Sequence, residues 1–462
     1  MSKRNRKKHI KIIELLQEAA ELVLESLQGG RKQEALQLLA ECQGSAIALG
    51  GHIEKLYGMQ TETVATLEQY CNALYEASVA INASIDGEAN LKDVQQLLDA
   101  AYRNLSLATQ QIADTYEAEF PERSEVVFLP YNASMWDSLE SVWKAADEDP
   151  DCEAYVVPIP YYKLGEGKKV KEICYEGELY PKDVPVVHYT EYDIALRQPD
   201  KIFIHNPYDE WNHVTSIAPE FYSSRIKEFT DELVYIPYFV LGEIDPANQT
   251  AIDNMKHFCY LPGTIHADKV IVQSENMRQI YIQEYLKAAI FSGEKVTRED
   301  LEKKILGLGS PKLDKVSNTR KEDLSIPEEW LRIIEKPDGS WKKIIFYNTS
   351  LGAFLKDSEM MLKKIKDVLR IFKENEAEIA LLWRPHPLME QTIESMRPDL
   401  LRAYKELTEA YREEGWGIYD DSADMDRAVV LSDAYYGDHS SVVQVYKETG
   451  KPIMIQNVLV QE

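Results

Sequence analysis

Hydroxyl, guanidinium and imidazole side chains follow three short apolar runs in the C-terminal third of the chain. The three segments are Tyr347-Asn348-Thr349-Ser350, Arg384-Pro385-His386-Pro387 and Gly437-Asp438-His439-Ser440-Ser441. In open α/β sheets a ligand binds beyond the carboxyl ends of the strands, so residues that directly follow strands are the ones that can meet it. Donors that converge on one sheet edge suit an anion, and the free N–H groups at a helix start add to them. The segments therefore predict a site for an anionic ligand.

Each segment also has a purely structural interpretation. Ser440-Ser441 is typical of a helix N-cap, and Thr349-Ser350 of a cap between a strand and a loop. The sequence "GSPKLD" at residues 309–314 is, on its own, that of a turn with a solvated Lys312. Arg384-Pro385-His386-Pro387 is harder to explain structurally, because two prolines fix the backbone while Arg and His stand at the end of a buried strand. For this segment we favour a functional role.

Short apolar runs that alternate with helical patterns from Pro121 onward must position these segments. The predicted strands are 126–129, 155–159, 186–188, 202–204, 233–236, 270–272, 344–346, 379–383, 417–419, 434–436 and 453–455. A charged, loop-like stretch at 318–324 separates two series, and helices such as 357–374 and 398–414 alternate with the second one. Such runs are typical of strands buried on both faces of a parallel sheet. We therefore predict an α/β fold with two doubly wound, Rossmann-like domains at 121–317 and 318–462.

Residues 1–120 contain almost no strand signal and read as helices with breaks at 29–30, 50–51 and 86–87. Two heptad-like seams occur there, Val64, Leu67, Cys71, Leu74, Ser78 and Ile81 in the first, and Val94, Leu98, Ala101, Leu105, Ala108 and Ile112 in the second. We expect them to pair as an antiparallel helical hairpin that turns at Asp86-Gly87. The default role of this bundle-like module is packing, and it could also support a homo-oligomer.

The composition limits the classes of protein that the chain can belong to. Of its 462 residues, 44% are hydrophobic and 10% aromatic, which is enough apolar material for two or three domains. The 78 Asp and Glu residues outweigh 52 Lys and Arg residues and give a formal net charge of −26. Because that field repels a polyanion, nucleic acid is not an expected partner.

Cysteine usage and the N-terminal sequence indicate a cytoplasmic protein. The five cysteines are widely spaced without a C-x-x-C pair, which fits neither a disulfide framework nor a zinc site. The start of the chain is basic, but Glu14, Gln17 and Glu18 interrupt the apolar run that a signal peptide needs. We interpret this start as a solvated or disordered leader. The alternative is weak peripheral contact with the inner face of a membrane, at about 1 kcal/mol per basic residue near the surface.

The C-terminal half resembles the CDP-glycerol glycerophosphotransferase family, the bacterial teichoic acid polymerases and primases. Four segments match family motifs in order: "GSPKLD" at 309–314 is similar to G-x-P-R-x-D, "KKIIFYNTS" at 342–350 to a strand ending in Pro-Thr, "LLWRPHP" at 381–387 to R-x-H-P, and "SDAYYGDHSSVVQVYKETGKPIM" at 432–454 to an aspartate, D-Y-S-S and G-K-P run. Each motif is weak alone, but their common order over about 150 residues is specific. The resemblance implies a glycosyltransferase-B-like fold of two facing Rossmann-like domains.

The resemblance also implies that the second domain binds a CDP-activated alcohol as substrate, with no cofactor. The implied phosphate-binding residues are Lys312, Thr349, Ser350, Arg384, Asp438, Ser440 and Ser441. His386 would face the diphosphate together with Arg384. Lys312 replaces the family's arginine, so it keeps the charge but loses the bidentate fork. Asp433 would support the fold rather than contact the ligand.

The sequence departs from the family on the acceptor side. The family's W-H-G-T-P motif, whose histidine is the proposed general base, is missing, and the corresponding stretch, "VYIPYFVLG" at 234–242, has no histidine. Histidine is still the side chain best suited to accept a proton near neutral pH. We take His205 as the best candidate, because it ends a predicted strand and opens a polar loop that contains His213. A purely structural role of His205 in its own loop remains equally open.

A further polar cluster, "LPYNASMWDSLESVW" at 129–143, follows the first predicted strand. Asn132 and Ser134 could contact an acceptor phosphate there, with His213 as a further acceptor-binding candidate. Trp136 and Trp143 are expected in the core instead.

The resemblance thus implies transfer of glycerol phosphate, or another alditol phosphate, from a CDP-activated donor to a cell-envelope polymer or lipid-linked acceptor, with release of CMP. His205 and His386 are the predicted catalytic residues, and we expect no metal ion. Two alternatives stay open: a nucleotide-sugar-dependent glycosyltransferase of the same fold, with Glu448 near the sugar, and a catalytically degenerate scaffold protein of an envelope pathway. The chain also ends soon after Ile455, so we expect the crossing C-terminal helix common in such folds to be replaced by the N-terminal hairpin or to lie outside this sequence.

Overall fold

The computed structural model of the chain describes residues 1–86, 91–422 and 424–456. The backbone forms two compact units. One unit comprises Met1–Glu125, Pro150–Glu153 and Asp193–Asp200, and the other comprises Val126–Asp149, Ala154–Tyr192 and Lys201–Glu462. Over the described ranges, no helix combines the length and the apolar character needed to cross a bilayer.

Long helices build the first unit: α1 (Lys3–Gln28), α2 (Lys32–Tyr57), α3 (Glu62–Asp86) and α4 (Leu91–Glu119). Apolar side chains at three- and four-residue spacing bury one face of each helix in a shared core. The buried members of the predicted seams are Val64, Leu67, Leu74, Ile81, Leu105, Ala108 and Ile112. Ser78 is half-buried, and Cys71 and Ala101 are partly buried against the same core. The side chains of Val94 and Leu98 and the predicted turn residue Gly87 lie outside the described part.

Two predictions for this unit are wrong. The basic N-terminal segment is not a disordered leader, because α1 begins at Lys3 and Ser2 is its buried N-cap. The predicted break at Gly50-Gly51 is also absent, since α2 continues through both residues. Gly50 is buried, and a β-carbon placed there would lie 3.7 Å from Leu67. Packing against a neighbouring helix offsets the cost of about 1 kcal/mol that a glycine brings to a helix.

The chain then alternates strands and helices. In order, these are β1 (Ser124–Leu129), α5 (Glu140–Asp147), β2 (Cys152–Val156), β3 (Tyr161–Leu164), β4 (Val170–Cys174), α6 (Ile194–Arg197), β5 (Lys201–Ile204), β6 (Thr215–Ile217), α7 (Ser223–Ile226), β7 (Glu232–Tyr235), α8 (Gln249–Met255), α9 (Pro262–His266), β8 (Lys269–Val272), α10 (Glu275–Ser292), α11 (Arg298–Lys304) and β9 (Ile305–Gly307). Short 3₁₀ helices lie at Ala133–Ser138, Glu166–Lys168, Gly177–Leu179, Pro219–Phe221, Lys227–Phe229 and Lys256–Cys259.

Six of these strands form a sheet in the order β2-β1-β5-β7-β8-β9. The pairs from β1 to β9 are parallel, so their carboxyl ends lie at one edge. The sequence does not predict a separate antiparallel sheet, β4-β3-β6. Its strands are short, and β4 is largely exposed, so it lacks the apolar run that marks a buried strand. The strand predicted at 186–188 is wrong: it is reduced to one bridge between Val186 and Val156.

A second series of strands and helices follows. It contains α12 (Pro311–Asn318), α13 (Glu328–Ile334), β10 (Lys343–Thr349), α14 (Leu351–Lys356), α15 (Ser358–Lys373), β11 (Ile379–Pro385), α16 (Met389–Met396), α17 (Pro398–Glu414), β12 (Ile418–Tyr419), α18 (Met425–Leu431), β13 (Ala434–Gly437), α19 (Ser441–Lys447) and β14 (Ile453–Ile455), with a 3₁₀ turn at Lys321–Asp323.

The strands of this series pair in parallel in the order β12-β11-β10-β13-β14. Fully buried residues such as Ile344, Phe346, Leu381 and Leu382 show that the central strands are covered on both faces. The predicted fold class is therefore confirmed: helices precede two Rossmann-like, parallel α/β halves. The domain limits at 120/121 and 317/318 stay predictions.

Gly437 permits the close approach of β13 to β10. Its φ is +146°, and a β-carbon placed there would lie 2.3 Å from the carbonyl oxygen of Asn348. An alanine at this position would force the two strand ends apart, because the contact atom is backbone and cannot rotate away.

We predict that Gly437→Ala lowers the free energy of unfolding by about 3 kcal/mol, because backbone strain and overpacking each cost on the order of 1–3 kcal/mol. Chemical denaturation measures this loss. Gly450→Ala is the matched control: its φ is +66° but no atom lies within 4 Å of the added carbon, so about 1 kcal/mol is expected. Equal losses in both variants would show that the approach to Asn348 is not tight.

Candidate functional site

The three polar segments lie side by side at one edge of the second sheet. The strand register pairs Asn348 with Arg384 on β11 and with Gly437 on β13. The Asn348 amide Nδ2 donates to the Arg384 carbonyl (3.1 Å), and its Oδ1 accepts from the hydroxyls of Tyr435 (3.3 Å) and Ser440 (3.0 Å). Asn348 thus ties three strand ends together. The sequence predicts the segment that contains Asn348 but not this role, because an amide side chain alone does not indicate it.

A cavity of about 110 Å³, the smaller cavity, opens at this edge. It is lined by all three segments and by residues that follow β1 and β7 of the first sheet. The lining residues are Ser134, Met135, Tyr238, Phe239, Lys312, Asn348, Thr349, Ser350, Arg384, Pro385, His386, Pro387, Met425, Ser440, Ser441 and Val442. Lys312 and Arg384 are cationic, and none of these residues is acidic.

A second cavity of about 220 Å³, the larger cavity, lies next to it. The two cavities share Ser134 and the segment 384–387 as a common wall. The other residues around the larger cavity are Asn132, Ala133, Tyr161, Glu176, Leu179, Leu388, Met389, Glu390, Gln391, Tyr404, Arg412, Tyr419, Asp420, Asp421 and Ser422. Both cavities are therefore lined by residues that follow strands of the first sheet and by residues at the ends of strands in the second sheet.

Arg384 is held rigidly in the wall between the cavities. Its side chain is buried, and one terminal nitrogen pairs with Asp420 Oδ2 at 2.6 Å while the other donates to the Ser422 carbonyl at 2.8 Å. Asp420 is itself 1% exposed. A guanidinium has five N–H donors, so these two bonds orient Arg384 and leave others for a ligand.

His386 is a neutral hydrogen-bond donor at this site. Desolvation by the surrounding protein, aided by the charges of Arg384 and Lys312, lowers its pKa to about 4. Its Nδ1 accepts the backbone N–H of Leu388 at 3.1 Å, so the ring proton of the neutral imidazole must be on Nε2. The lone pair that a general base would use is already engaged.

Lys312 is buried, so its interpretation as a solvated turn residue is wrong. Its ammonium contacts both carboxylate oxygens of Asp137, at 2.6 and 2.5 Å, and both side chains are almost fully enclosed. This ion pair joins the start of α12 to the 3₁₀ helix after β1. One of the three ammonium N–H groups remains for another acceptor.

Thr349 and Ser350 line the smaller cavity, whereas Asp438 does not. Thr349 Oγ1 accepts from Trp383 Nε1 at 3.2 Å, and Ser350 Oγ caps α14. Asp438 is fully buried, where it accepts the Ser350 N–H at 2.8 Å and pairs with Lys364. The structure thus places Asp438 behind the site, as a support for Ser350, and not among its lining residues.

Ser440 and Ser441 both line the smaller cavity. Ser440 is the N-cap residue of α19, but its hydroxyl makes no capping bond and donates to Asn348 instead. The capping interpretation of the Ser440 side chain is therefore wrong. α19 has seven residues, so its dipole alone does not make an anion site, and the side chains around the cavity must supply most of the donors.

Asp433 and Glu448 lie away from both cavities. Asp433 accepts the N–H of Ile344 at the start of β10 at 2.8 Å, which is the supporting role that the resemblance implied. Glu448 is exposed at the C-terminal end of α19 and lines neither cavity.

His205 directly follows β5 of the first sheet and lines neither cavity. Its side chain is fully buried; Nε2 accepts the Tyr131 N–H at 3.1 Å, and Nδ1 is 2.9 Å from the Ser138 hydroxyl. Burial lowers its pKa to about 3. With both ring nitrogens engaged in the core, the structure gives His205 the structural role that the sequence left open, and its catalytic role stays an unsupported prediction.

The predicted acceptor residues divide into two groups. Asn132 lines the larger cavity and Ser134 lines both, and Asn132 Oδ1 accepts from the Ser134 N–H at 3.0 Å. His213 is exposed and lines neither cavity. Trp136 and Trp143 are buried, as expected for core residues.

Glu176 is a cavity residue that sequence reasoning missed. It accepts from the Tyr161 hydroxyl (2.5 Å), the Ala133 N–H (2.9 Å) and Asn132 Nδ2 (3.3 Å). It follows β4, and no strand was predicted there, so no pattern in the sequence pointed to it. Tyr238 and Phe239, from the histidine-free stretch at 234–242, line the smaller cavity with aromatic rings.

No protein-family model matches the chain, and no curated protein sequence matches it. Solved structures with a similar fold include a UDP-N-acetylglucosamine 2-epimerase (TM-score 0.39, 11% identity, 74% of this chain and 80% of that chain covered). Two others are MnaA of S. aureus with UDP (0.40, 11%, 72% and 78%) and the catalytic domain of starch synthase IV from Arabidopsis thaliana with ADP and acarbose (0.34, 10%, 71% and 81%). At these scores and identities, the similarities identify neither an activity nor a substrate for this chain.

We predict that Asp137→Asn lowers the free energy of unfolding by about 3 kcal/mol, because it leaves the buried Lys312 ammonium without a counter-charge. Urea denaturation checks this value. The control is Glu299→Gln, whose partner Lys303 is 69% exposed, and we expect a change of about 0.5 kcal/mol or less. A similar small loss for Asp137→Asn would contradict a buried ion pair at this position.

Acid should destabilise the fold through His386 and His205. Their pKa values in the fold, about 4 and about 3, lie below the ordinary histidine value of 6.5, so the unfolded chain takes up protons first as pH falls. The contribution of these two neutral histidines to the free energy of unfolding is therefore fully present above about pH 6.5 and is lost progressively as the pH falls toward 4. In His386→Asn we expect about one proton fewer to be taken up on unfolding at pH 5. The exposed His213→Asn is the control, and an unchanged proton uptake in His386→Asn would refute the assignment.

Proposed function

We propose that this chain is a transferase that holds the phosphates of a nucleotide-activated donor in the smaller cavity. The observation that supports it most is the lining of that cavity: hydroxyl, imidazole, guanidinium and ammonium donors from three strand ends and α12 converge on it, and no lining residue is acidic. Desolvated, preoriented donors of this kind are what a diphosphate requires.

The cavity would bind phosphate through oriented N–H and O–H groups rather than through a large net charge. Arg384 and Lys312 are each neutralised by one aspartate, Asp420 and Asp137, which also fixes their direction. His386 adds a neutral Nε2–H donor beside them. Because these groups are already held in place, little ordering is needed when a ligand binds.

The apolar part of the lining suits a nucleoside. Met135, Tyr238, Phe239, Met425 and Val442 supply apolar and aromatic surface within the same cavity. Such surface accommodates a base and ribose, while polar groups fix the phosphates.

Within this class we propose a CDP-activated alditol phosphate as the donor and a cell-envelope polymer or lipid-linked molecule as the acceptor. The support for this choice is the ordered resemblance of the four motifs. All four supply residues to the smaller cavity, and the first of them, at 309–314, supplies Lys312. In the reaction, an acceptor hydroxyl attacks the β-phosphorus in line. The bond from this phosphorus to the CMP oxygen breaks, CMP leaves with the bonding electrons, and the proton of the attacking hydroxyl is released to solvent.

Arg384, His386 and the serine hydroxyls would stabilise the negative charge that develops on the phosphoryl oxygens. Preoriented donors usually supply the largest single contribution to such a step. The proposal includes no metal ion. The glycosyltransferase alternative would place Glu448 near the sugar, but Glu448 is exposed and lines neither cavity. Its position therefore gives no support to a sugar transferase over the alditol phosphate transferase.

Ser441 offers a test that leaves both buried ion pairs intact. We predict that Ser441→Ala weakens CDP-glycerol binding about fivefold, because one hydroxyl donor to the phosphates is lost. Ser441→Asp should weaken it more, at least about tenfold, because the added carboxylate also repels the diphosphate. Isothermal titration calorimetry measures this, with CDP-ribitol, UDP-glucose and CMP as comparison ligands. Arg402→Asp, at a residue that is 90% exposed and lines neither cavity, controls for added charge.

The outcomes separate the candidate functions. Cytidine-selective binding with CMP release in the presence of crude membrane acceptor supports the transferase. Selective binding of UDP-glucose would favour a sugar transferase, and binding without release would favour a scaffold protein. Equal binding by wild type and Ser441→Asp would contradict a phosphate site in the smaller cavity.

A further inference from the structure

The larger cavity differs in chemistry from the proposed donor site, although the two share a wall. The smaller cavity has two cations and no acid, whereas the larger one adds four carboxylates, among them Glu176, Asp420 and Asp421. The only cation that it adds is Arg412. Because the lining side chains of the two adjoining cavities differ in charge, the cavities suit two different ligands.

The cations of the larger cavity are already neutralised. Arg384 pairs with Asp420 at 2.6 Å, and Arg412 pairs with Asp421 at 2.5 Å while it lies 4.1 Å from the centre of the Tyr419 ring. A phosphate in this cavity would meet unpaired carboxylate charge without an unpaired cation to offset it. An uncharged ligand avoids that repulsion.

Glu176 presents a carboxylate whose partners are all uncharged. Tyr161, Ala133 and Asn132 each donate one hydrogen bond to it, and over the described ranges it takes part in no ion pair. A carboxylate has about four acceptor positions, so one direction remains for a further donor. The three bonds hold it in a fixed orientation on the cavity wall.

Gln391 supplies an independent observation. Its side-chain oxygen is buried on the wall of the same cavity and has no hydrogen-bond partner in the described part of the chain. Buried acceptors are normally satisfied, so this atom calls for a donor from a ligand. Two hydroxyls of one polyol can donate to Gln391 and to Glu176. Tyr404 and Tyr419, which also line the cavity, add aromatic surface for the carbon side of a polyol or sugar ring.

We infer that the larger cavity binds the acceptor through an uncharged, hydroxyl-rich terminus, a polyol or a sugar, with Glu176 and Gln391 accepting its hydroxyl hydrogen bonds. The inference rests on the proposed function for the identity of the ligand as acceptor. The common wall of Ser134, Arg384 and His386 places such a hydroxyl next to the donor phosphates. The ligand class differs from the acceptor phosphate expected from the sequence.

Saturation-transfer NMR on the full chain tests the inference with ribitol and glucose as neutral probes and glucose 6-phosphate as the charged one. We expect saturation of both neutral probes, and about tenfold weaker binding of glucose 6-phosphate. Glu176→Gln should weaken ribitol binding about tenfold and Gln391→Met about fivefold, since each loses an acceptor. Glu178→Gln is the matched control, because Glu178 is exposed two residues away and does not line the cavity.

Two further results keep the inference separate from the proposed function. CDP-glycerol binding should be unchanged in Glu176→Gln, and ribitol binding should be unchanged in Ser441→Asp. CDP-glycerol binding without any contact to ribitol or glucose would overturn the inference and leave the proposed function standing. Saturation of ribitol or glucose without CDP-glycerol binding would contradict the proposed function and leave the polyol site standing. Equal binding of glucose and glucose 6-phosphate, or unaltered ribitol binding in both Glu176→Gln and Gln391→Met, would also overturn it.

Discussion

The side-chain amide of Asn348 connects the ends of β10, β11 and β13, and the geometry of the candidate site follows from that connection. Its Nδ2 donates to the Arg384 carbonyl, and its Oδ1 accepts from the Tyr435 and Ser440 hydroxyls. Parallel pairing alone would bring three strand ends to one edge, but it would not fix the loops that leave them. The amide does so for the backbone of Arg384 and the side chain of Ser440, and Gly437 makes room for the contact.

Around this core, the cationic and imidazole donors are each held by another residue. Asp420 orients Arg384, Asp137 orients Lys312, and the Leu388 N–H sets the proton of His386 on Nε2. Such an arrangement would bind a phosphate through oriented N–H and O–H groups rather than through a positive net charge. This agrees with a chain whose formal net charge is −26. It also explains why the two cavities can differ in preference although they share a wall.

The parts of the fold that the sequence predicts are those that depend on local pattern. Strands β10, β11 and β13 were recognised because runs buried on both faces are apolar throughout, and α17 because its periodicity and flanking residues are regular. The antiparallel strands β3, β4 and β6 carry no such pattern.

The candidate site was predictable only in part, for a different reason. Its hydroxyl and imidazole donors directly follow strands and can be read locally. The partner of Lys312 is 175 residues away and that of Arg384 is 36 residues away. Long-range pairing of this kind decided that Lys312 is buried, that Asp438 supports Ser350, and that Glu176 stands on the cavity wall. His205, which a local pattern made attractive, is enclosed by contacts that the pattern does not contain.

The most direct test of the central claim is a crystal structure of the full chain with CMP. We predict that CMP occupies the smaller cavity, with a phosphate oxygen at hydrogen-bond distance, about 3 Å, from His386 Nε2 and from the Ser441 hydroxyl. Its base would lie against Tyr238 and Phe239. Ordered CMP at any other place, or an empty smaller cavity at a saturating concentration of CMP, would contradict the account.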